Sequence, residues 1–292
     1  MLSEEDSRLI LFSIIEPGDE FWSVEVLKLG AQVVLDLILT KKHYPISQKL
    51  LTLSKCAAGV NLLGLQEEIT KADSIFITPR DFDWPIGVND LSNPPIGLMI
   101  KGDRNVLADL NSSISIVGSR KPTNYGVEIT RYLTMQAVMM EYLIVSGGAI
   151  GIDTAAHIGA LSSSGKTISV LAGGFNNLYP NENKRLFSEV SKTGLLLSEV
   201  LPSISSKPNR FLIRNRLIAA ISRATIIVEA EYVSGSIRTA RDAAEIFRPV
   251  FAIPGPITSA LSQGCHRLIS ERIADIATSF DEILELITPM QL

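Results

Sequence analysis

The stretch "SISIVGSR" at residues 113–120 decides the fold. Its apolar half is strand-sized and runs directly into Gly118, Ser119 and Arg120. A strand this apolar ends at the rim of a sheet, so a small residue, a hydroxyl and a permanent cation are delivered to that rim together.

The same pattern recurs to the end of the chain. Short apolar runs "YLIVS", "TISVLA", "GLLLS", "ATIIVEA" and "PVFAI" alternate with helix-suited segments such as "TNYGVEITRYLTMQAVMM", "DTAAHIGALSSSG" and "NENKRLFSEVSKTG". That alternation predicts an α/β fold, a mostly parallel sheet with helices on both faces, in which ligands bind beyond the carboxyl ends of the strands. Upstream, "EFWSVEVLKLGAQVVLDLI" and "PISQKLLTLSKCAAGVNLLG" space their apolar positions as helices do. "SIFITPRDFDWPIGVNDLSNPPIGLMIKGD" then breaks into short strands and turns. The expected division is a helical N-terminal region over 1–75, a Rossmann-like domain over 76–275, and a C-terminal helix and tail over 276–292.

At 292 residues and 46% hydrophobic composition the chain buries a sizeable core. No apolar run reaches the roughly eighteen residues of a membrane span, and "MLSEEDSRLILFS" has acids where a secretion signal needs bases, so a cytoplasmic protein without membrane attachment is expected. Cys56 and Cys265 lack a CxxC partner, and His43, His157 and His266 show no ligand spacing. Neither a disulfide, a metal nor a cofactor is expected. The net charge of −4 hides an asymmetry: residues 1–100 carry −6 and residues 101–292 carry +2. The second part could therefore hold a local basic patch, although ordinary solvated surface is the preferred reading unless a motif concentrates the bases.

Three strand ends share one chemistry. Gly118-Ser119-Arg120 follow the first strand, Ser146-Gly147-Gly148-Ala149-Ile150-Gly151 the second, and Ser234-Gly235-Ser236 a later one, with Thr239 in support. Glycine admits a ligand to the backbone, and the helix N-terminus that follows offers free N–H groups. One such loop is ordinarily just a turn; three in one sheet point to phosphate. No Walker motif or strict GxGxxG occurs. A fourth stretch, "KPNRFLIRNRLIAAIS", gathers Lys207, Arg210, Phe211, Arg214, Asn215 and Arg216, a set suited to the phosphates and exposed bases of a single strand. The structural alternative has Arg214 and Arg216 paired with acids such as Glu199 or Glu229, and Phe211 in the core. His157, at helical spacing in "DTAAHIGAL", reads as a structural histidine.

The collinear words "IVGSRKPTNYG", "IVSGGAIGIDTAAHIGAL", "GKTISVLAGGFNNLYPNEN", "GLLLSEVLP", "NRFLIRNRLIAAIS", "VEAEYVSGSIRTARDAAE" and "RPVFAIPGPITSALSQGCHRLIS" closely resemble the DNA-processing protein A (DprA/Smf) family over roughly residues 75–270. The resemblance implies an extended Rossmann fold that binds single-stranded DNA, helps load the RecA recombinase in natural transformation, is not an enzyme, and forms a homodimer. It implies that Gly118, Ser119, Arg120, the Ser146–Gly151 loop, Arg210, Phe211, Arg214, Asn215 and Arg216 line the DNA groove. Asp153 is expected to cap a helix beginning at Thr154 and so fix its loop, and Glu229 to orient the arginines. Two departures stand out: Thr123 replaces the family's serine, and Gly148 replaces a leucine, which is expected to loosen that loop. No helix-hairpin-helix wording marks the N-terminal region, and nothing assigned to the winged-helix domain of many relatives is carried over. Two other classes remain open within the wider superfamily, a nucleotide-derivative phosphoribohydrolase and a nucleotide-sensing module; "SGSIRTARDAAE" is distantly similar to the hydrolases' motif, but "PGGxGT" is missing.

Overall fold

The computed structural model describes residues 2–42 and 44–287, so residues 288–292 of the expected C-terminal tail lie outside the described residues, as does His43. Helix α1 (Glu4–Ile14) begins at Ser3, whose hydroxyl accepts from the Asp6 N–H at 3.0 Å while the Asp6 carboxylate accepts from Ser3. The apolar-periodic stretch over 20–38 is divided between α2 (Glu20–Leu29) and α3 (Ala31–Thr40), because Gly30 at φ +84° breaks the helical path. No side chain of its own caps α3; the Glu4 carboxylate accepts from the Ala31 and Gln32 N–H groups at 2.9 and 3.1 Å. Burial alone would raise the Glu4 carboxyl, but these donors and Arg8 bring it below its ordinary value. The second stretch likewise divides at Gly59 into α4 (Gln48–Ala58) and α5 (Leu62–Lys71).

The remaining elements follow the expected alternation. They are β1 (Ile75–Ile77), β2 (Leu98–Gly102), β3 (Ser113–Val117), α6 (Asn124–Met139), β4 (Leu143–Ser146), α7 (Ile152–Ser162), β5 (Thr167–Leu171), α8 (Lys184–Thr193), β6 (Leu195–Ser198), α9 (Pro208–Ile221), β7 (Ala224–Ile227), α10 (Gly235–Glu245), β8 (Val250–Ala252), α11 (Gln263–Ser270), β9 (Asp275–Ile276) and α12 (Phe280–Ile287). One sheet orders the strands β1-β2-β6-β5-β4-β3-β7-β8-β9. The β1–β2 and β2–β6 pairs are antiparallel and the others parallel, as a mostly parallel Rossmann-like sheet requires.

The chain winds outward from β3 in one direction through β4, β5 and β6, then returns to β3's other side with β7, pairing Ile116 with Ile226. The strand order therefore reverses at β3, and the helices that follow β3 and β7 leave a crevice at its carboxyl end. That is where "GSR" emerges.

Both faces of the sheet are covered. Ile114 and Ile116 pack with Leu133, Ile152 and Phe280 on one side, and Val117 and Ile227 with Leu217, Ile218 and Ile237 on the other. The N-terminal helices do not close a core alone: Leu11, Val34, Ile38 and Leu50 share one with Met99, Phe187 and Leu196 of the sheet half. Among the described residues no helix is long and apolar enough to cross a membrane.

Candidate nucleic-acid interface

The crevice beyond β3 is an open cleft of about 700 Å³. It is lined by Gly118, Ser119, Arg120 and Lys121 after β3, by Ser234, Gly235, Ser236 and Thr239 at the start of α10, and by Phe211, Arg214 and Asn215 of α9, with Ala149 and Asp153 from the β4 loop and Tyr179 from the β5 loop. Gly118 has no room for a side chain, since a Cβ there would lie 2.8 Å from Ile152 and 2.9 Å from the Glu229 carbonyl oxygen. Close packing at Gly118 fixes the direction in which Arg120 leaves the strand. Arg120 is exposed and its guanidinium carbon lies 5.6 Å from the centre of the Phe211 ring, whose edge meets Tyr179 at 5.5 Å between centroids.

The third loop is prepared for an anion. Ser234 occupies the N-cap of α10 but makes no cap bond; its hydroxyl lies 2.9 Å from the Ser236 hydroxyl instead. The first turn of α10 therefore has no side-chain cap from Ser234, and its residues Gly235 and Ser236 line the cleft, where the helix dipole adds partial positive charge. Asn215 donates to the Gly235 carbonyl at 3.0 Å and ties this helix start to α9.

The second loop is built differently from the expectation. Ser146, Gly147 and Gly148 are buried beneath the cleft rather than lining it: the Ser146 hydroxyl donates to the Ile116 carbonyl at 2.7 Å, and the Gly147 N–H donates to Asp153 at 3.1 Å. Only Ala149 of this loop reaches the cleft wall. Gly151 lies outside the lining, and at φ +89° it brings the loop against the Ser119 carbonyl, where a Cβ would lie 2.3 Å away. The Gly148 replacement does not loosen the loop. Its φ of +68° and the Phe187 ring, 2.4 Å from any Cβ placed there, make glycine the fitting residue. Asp153 lies within the first turn of α7, whose N-cap is Gly151; it is no cap, but it holds the loop by accepting from Gly147 and Ala149.

Of the basic cluster, most is committed inside the protein. Arg214 donates to the carbonyls of Gly147 and Val170, and burial pulls its guanidinium down to about 10 while the Asp153 charge opposes that fall. Burial pushes the Asp153 carboxyl up, against the opposing charge of Arg214. Arg216 does not reach the cleft: it is buried against Glu199 at 2.6 Å. Arg210 is turned away as well, with its guanidinium on Glu16 at 2.8 Å and on the Ser205 carbonyl at 2.9 Å. Lys207 stands exposed beside the same Glu16 at 3.8 Å. The physical reason is helical spacing: one face of α9 carries Phe211, Asn215 and Ile218 to the cleft, so Arg210 and Arg216 point elsewhere.

Glu229 does not orient the arginines. Its carboxylate accepts from the Thr123 N–H at 2.8 Å and the Thr123 hydroxyl at 2.6 Å, anchoring the start of α6, and Gly126 leaves the space it needs. Thr123 thus uses the hydroxyl it shares with serine. His157 is buried, its Nδ1 2.7 Å from the Thr167 hydroxyl, and burial lowers it to about 3, so its ring is neutral at ordinary pH.

Tyr179, Lys121 and Glu231 also line the cleft, and nothing in the spacing of the motifs singled them out. The signal for Tyr179 was available, an aromatic in the loop after β5 beside Pro180. As a whole the cleft brings together a helix start, two exposed cations and two aromatic rings, which suits a chain of phosphates carrying exposed bases.

The model of the DNA recombination-mediator protein A family matches residues 75–288. The chain belongs to this family. A DNA-processing protein DprA of Mycobacterium tuberculosis is 38% identical over 222 residues, covering 72% of this chain; the match spans 57% of that relative's own length. The crystal structure of DNA processing protein A from Streptococcus pneumoniae superposes with a TM-score of 0.84 at 31% identity, covering 97% of this chain and 98% of that one. The DNA processing protein A of Helicobacter pylori, solved for its single-stranded DNA binding mode, gives a TM-score of 0.66 at 30% identity over 73% of this chain and 95% of that one. The likeness to the Streptococcus pneumoniae protein thus includes the N-terminal helices.

Proposed function

We propose that the chain binds single-stranded DNA in the cleft beyond β3, without regard to base sequence, and acts as a recombination mediator rather than as an enzyme. The observation that carries this reading is that Arg120, Phe211 and the uncapped start of α10 line one cleft: a cation, a stacking face and helix-start N–H groups together. Such groups grip phosphate and stack any base, whereas base edges are read by other means. The family membership and the single-stranded DNA binding named for the Helicobacter pylori relative support the same reading.

The finer parts of the proposal are that the bound strand is handed to the RecA recombinase in natural transformation, that the protein works in the cytoplasm, and that it does so as a homodimer. The open edge strand β9, with Ile276 exposed, gives a second copy a place to pair. The functional division proposed is that 76–275 binds DNA, 1–75 supports it, and the segment from 276 packs α12 against one face of the sheet.

A titration with a single-stranded oligonucleotide, the matching blunt duplex and a mononucleotide tests the reading. Preference for the single strand over both is expected. Equal binding of duplex counts against it; equal binding of the mononucleotide would favour a nucleotide sensor, and its hydrolysis an enzyme.

A further inference from the structure

The two cations that open helix α9 are occupied by a carboxylate from the opposite end of the chain. Glu16 follows α1 in the turn that leads to α2, and it meets Arg210 with both oxygens, at 2.8 Å from Nη2 in each case and 3.1 Å from Nε. The same side chain lies 3.8 Å from Lys207. A carboxylate between a guanidinium fork and an ammonium has the charge and geometry that a DNA phosphate presents to the same groups. Pro208, the residue after Lys207, already lines the cleft beside Phe211, so this site adjoins the proposed strand path.

The turn bearing Glu16 is anchored independently of it. The Gly18 carbonyl accepts from Asn93 at 2.8 Å, the Asp19 N–H donates to the Glu16 carbonyl at 3.2 Å, and Gly18, at φ +71°, sits against Ile213 and Arg216. Its partner surface is buried, whereas the Glu16 side chain is 57% exposed, that of Lys207 60% and that of Arg210 only 7%. Glu16 can therefore turn away into water while the N-terminal helices stay docked.

We propose that Lys207 and Arg210 form a second phosphate subsite, next to the cleft, which Glu16 fills as an internal phosphate mimic until a strand long enough to reach it takes its place. The N-terminal helical region in this way sets how strongly, and over what length, the cleft holds a strand. This rests on the single strand lying in the cleft, and the test separates the two.

Binding of a short oligothymidylate that fills only the cleft and of one several nucleotides longer is measured at two or more salt concentrations for the wild type, Glu16→Gln, Glu16→Asp and Glu16→Gln with Lys207→Gln, with unfolding followed on the same preparations. Glu16→Gln is expected to bind the longer strand about two- to fivefold tighter, the size of an exposed ion-pair competition. Its slope of log affinity against log salt should steepen by about 0.7 for each further phosphate that the freed cations neutralise. Glu16→Asp, whose carboxylate is retracted, should fall between it and the wild type, Lys207→Gln should cancel the increase, and the short strand should respond less than the long one. Unchanged affinity and slope for the longer strand in both Glu16 variants, with the short strand still bound, overturns the subsite. Failure of the wild type to bind either strand overturns the cleft reading instead.

Discussion

The guanidinium of Arg120, delivered by the end of β3, stands 5.6 Å from the centre of the Phe211 ring on α9. Two elements far apart in sequence thereby make one surface that is cationic on one side and aromatic on the other. Charge and stacking face are separable by mutation, so their contributions are too.

Arg120→Ala removes an exposed cation without opening the core. Single-stranded DNA binding should weaken by about 1.5–3 kcal/mol, the range of a charged hydrogen bond, with the melting temperature nearly unchanged. Titration of the folded variant checks this; wild-type affinity would misplace the strand.

Phe211→Leu takes away a ring and no charge. Affinity should fall by about 1–3 kcal/mol while the salt slope stays as it was, because every phosphate keeps its cation. The ring is half-buried against Tyr179, so only a modest loss of stability should accompany it. A variant that melts much lower yet binds normally would make Phe211 a core residue.

Arg214→Gln should behave in the opposite way. Arg214 is buried with its bonds on Gly147 and Val170 and its charge beside Asp153, so the variant strands a buried carboxylate. Chemical denaturation should show about 3–5 kcal/mol lost, and Asp153→Asn in the same chain should restore part of it. A variant that is fully stable but binds DNA with a shallower salt slope would move Arg214 from scaffold to DNA-binding residue.

His157 ties stability to pH. Its folded pKa is lowered from 6.5 to about 3 by burial, so between those values the unfolded chain binds more protons than the folded one. Stability from this group is therefore complete above pH 6.5 and is lost as pH falls toward 3, at up to about 1.4 kcal/mol per pH unit. Unfolding curves for wild type and His157→Gln between pH 7 and pH 4 should diverge in slope, the variant being flatter. Parallel curves would contradict the assignment.

The sheet was legible because each parallel strand is an uninterrupted apolar run closed by small residues, and "GSR" marked the crevice because a strand buried on both faces has only its end to offer. The cluster after residue 207 was misleading for a matching reason. Consecutive residues on a helix point in different directions, so Phe211 and Asn215 reach the cleft while Arg210 and Arg216 find carboxylates on Glu16 and Glu199. Glu199 was nameable as a partner; Glu16 was not, since nothing local to it announces a partner nearly two hundred residues away. The "SGGAIG" loop read as a phosphate cradle, yet Asp153 lies close enough to take its N–H groups inward.

The most direct test of the cleft is amide hydrogen exchange at Gly235, Ser236 and Ile237, the opening residues of α10, with and without a saturating oligothymidylate. In the free protein these N–H groups lack a cap bond and should exchange quickly. The bound strand should slow them by accepting their hydrogen bonds at phosphate oxygens, with weaker changes elsewhere in α10. Unchanged exchange at these three residues, with protection appearing on another face of the sheet, would contradict the placement of the strand in this cleft.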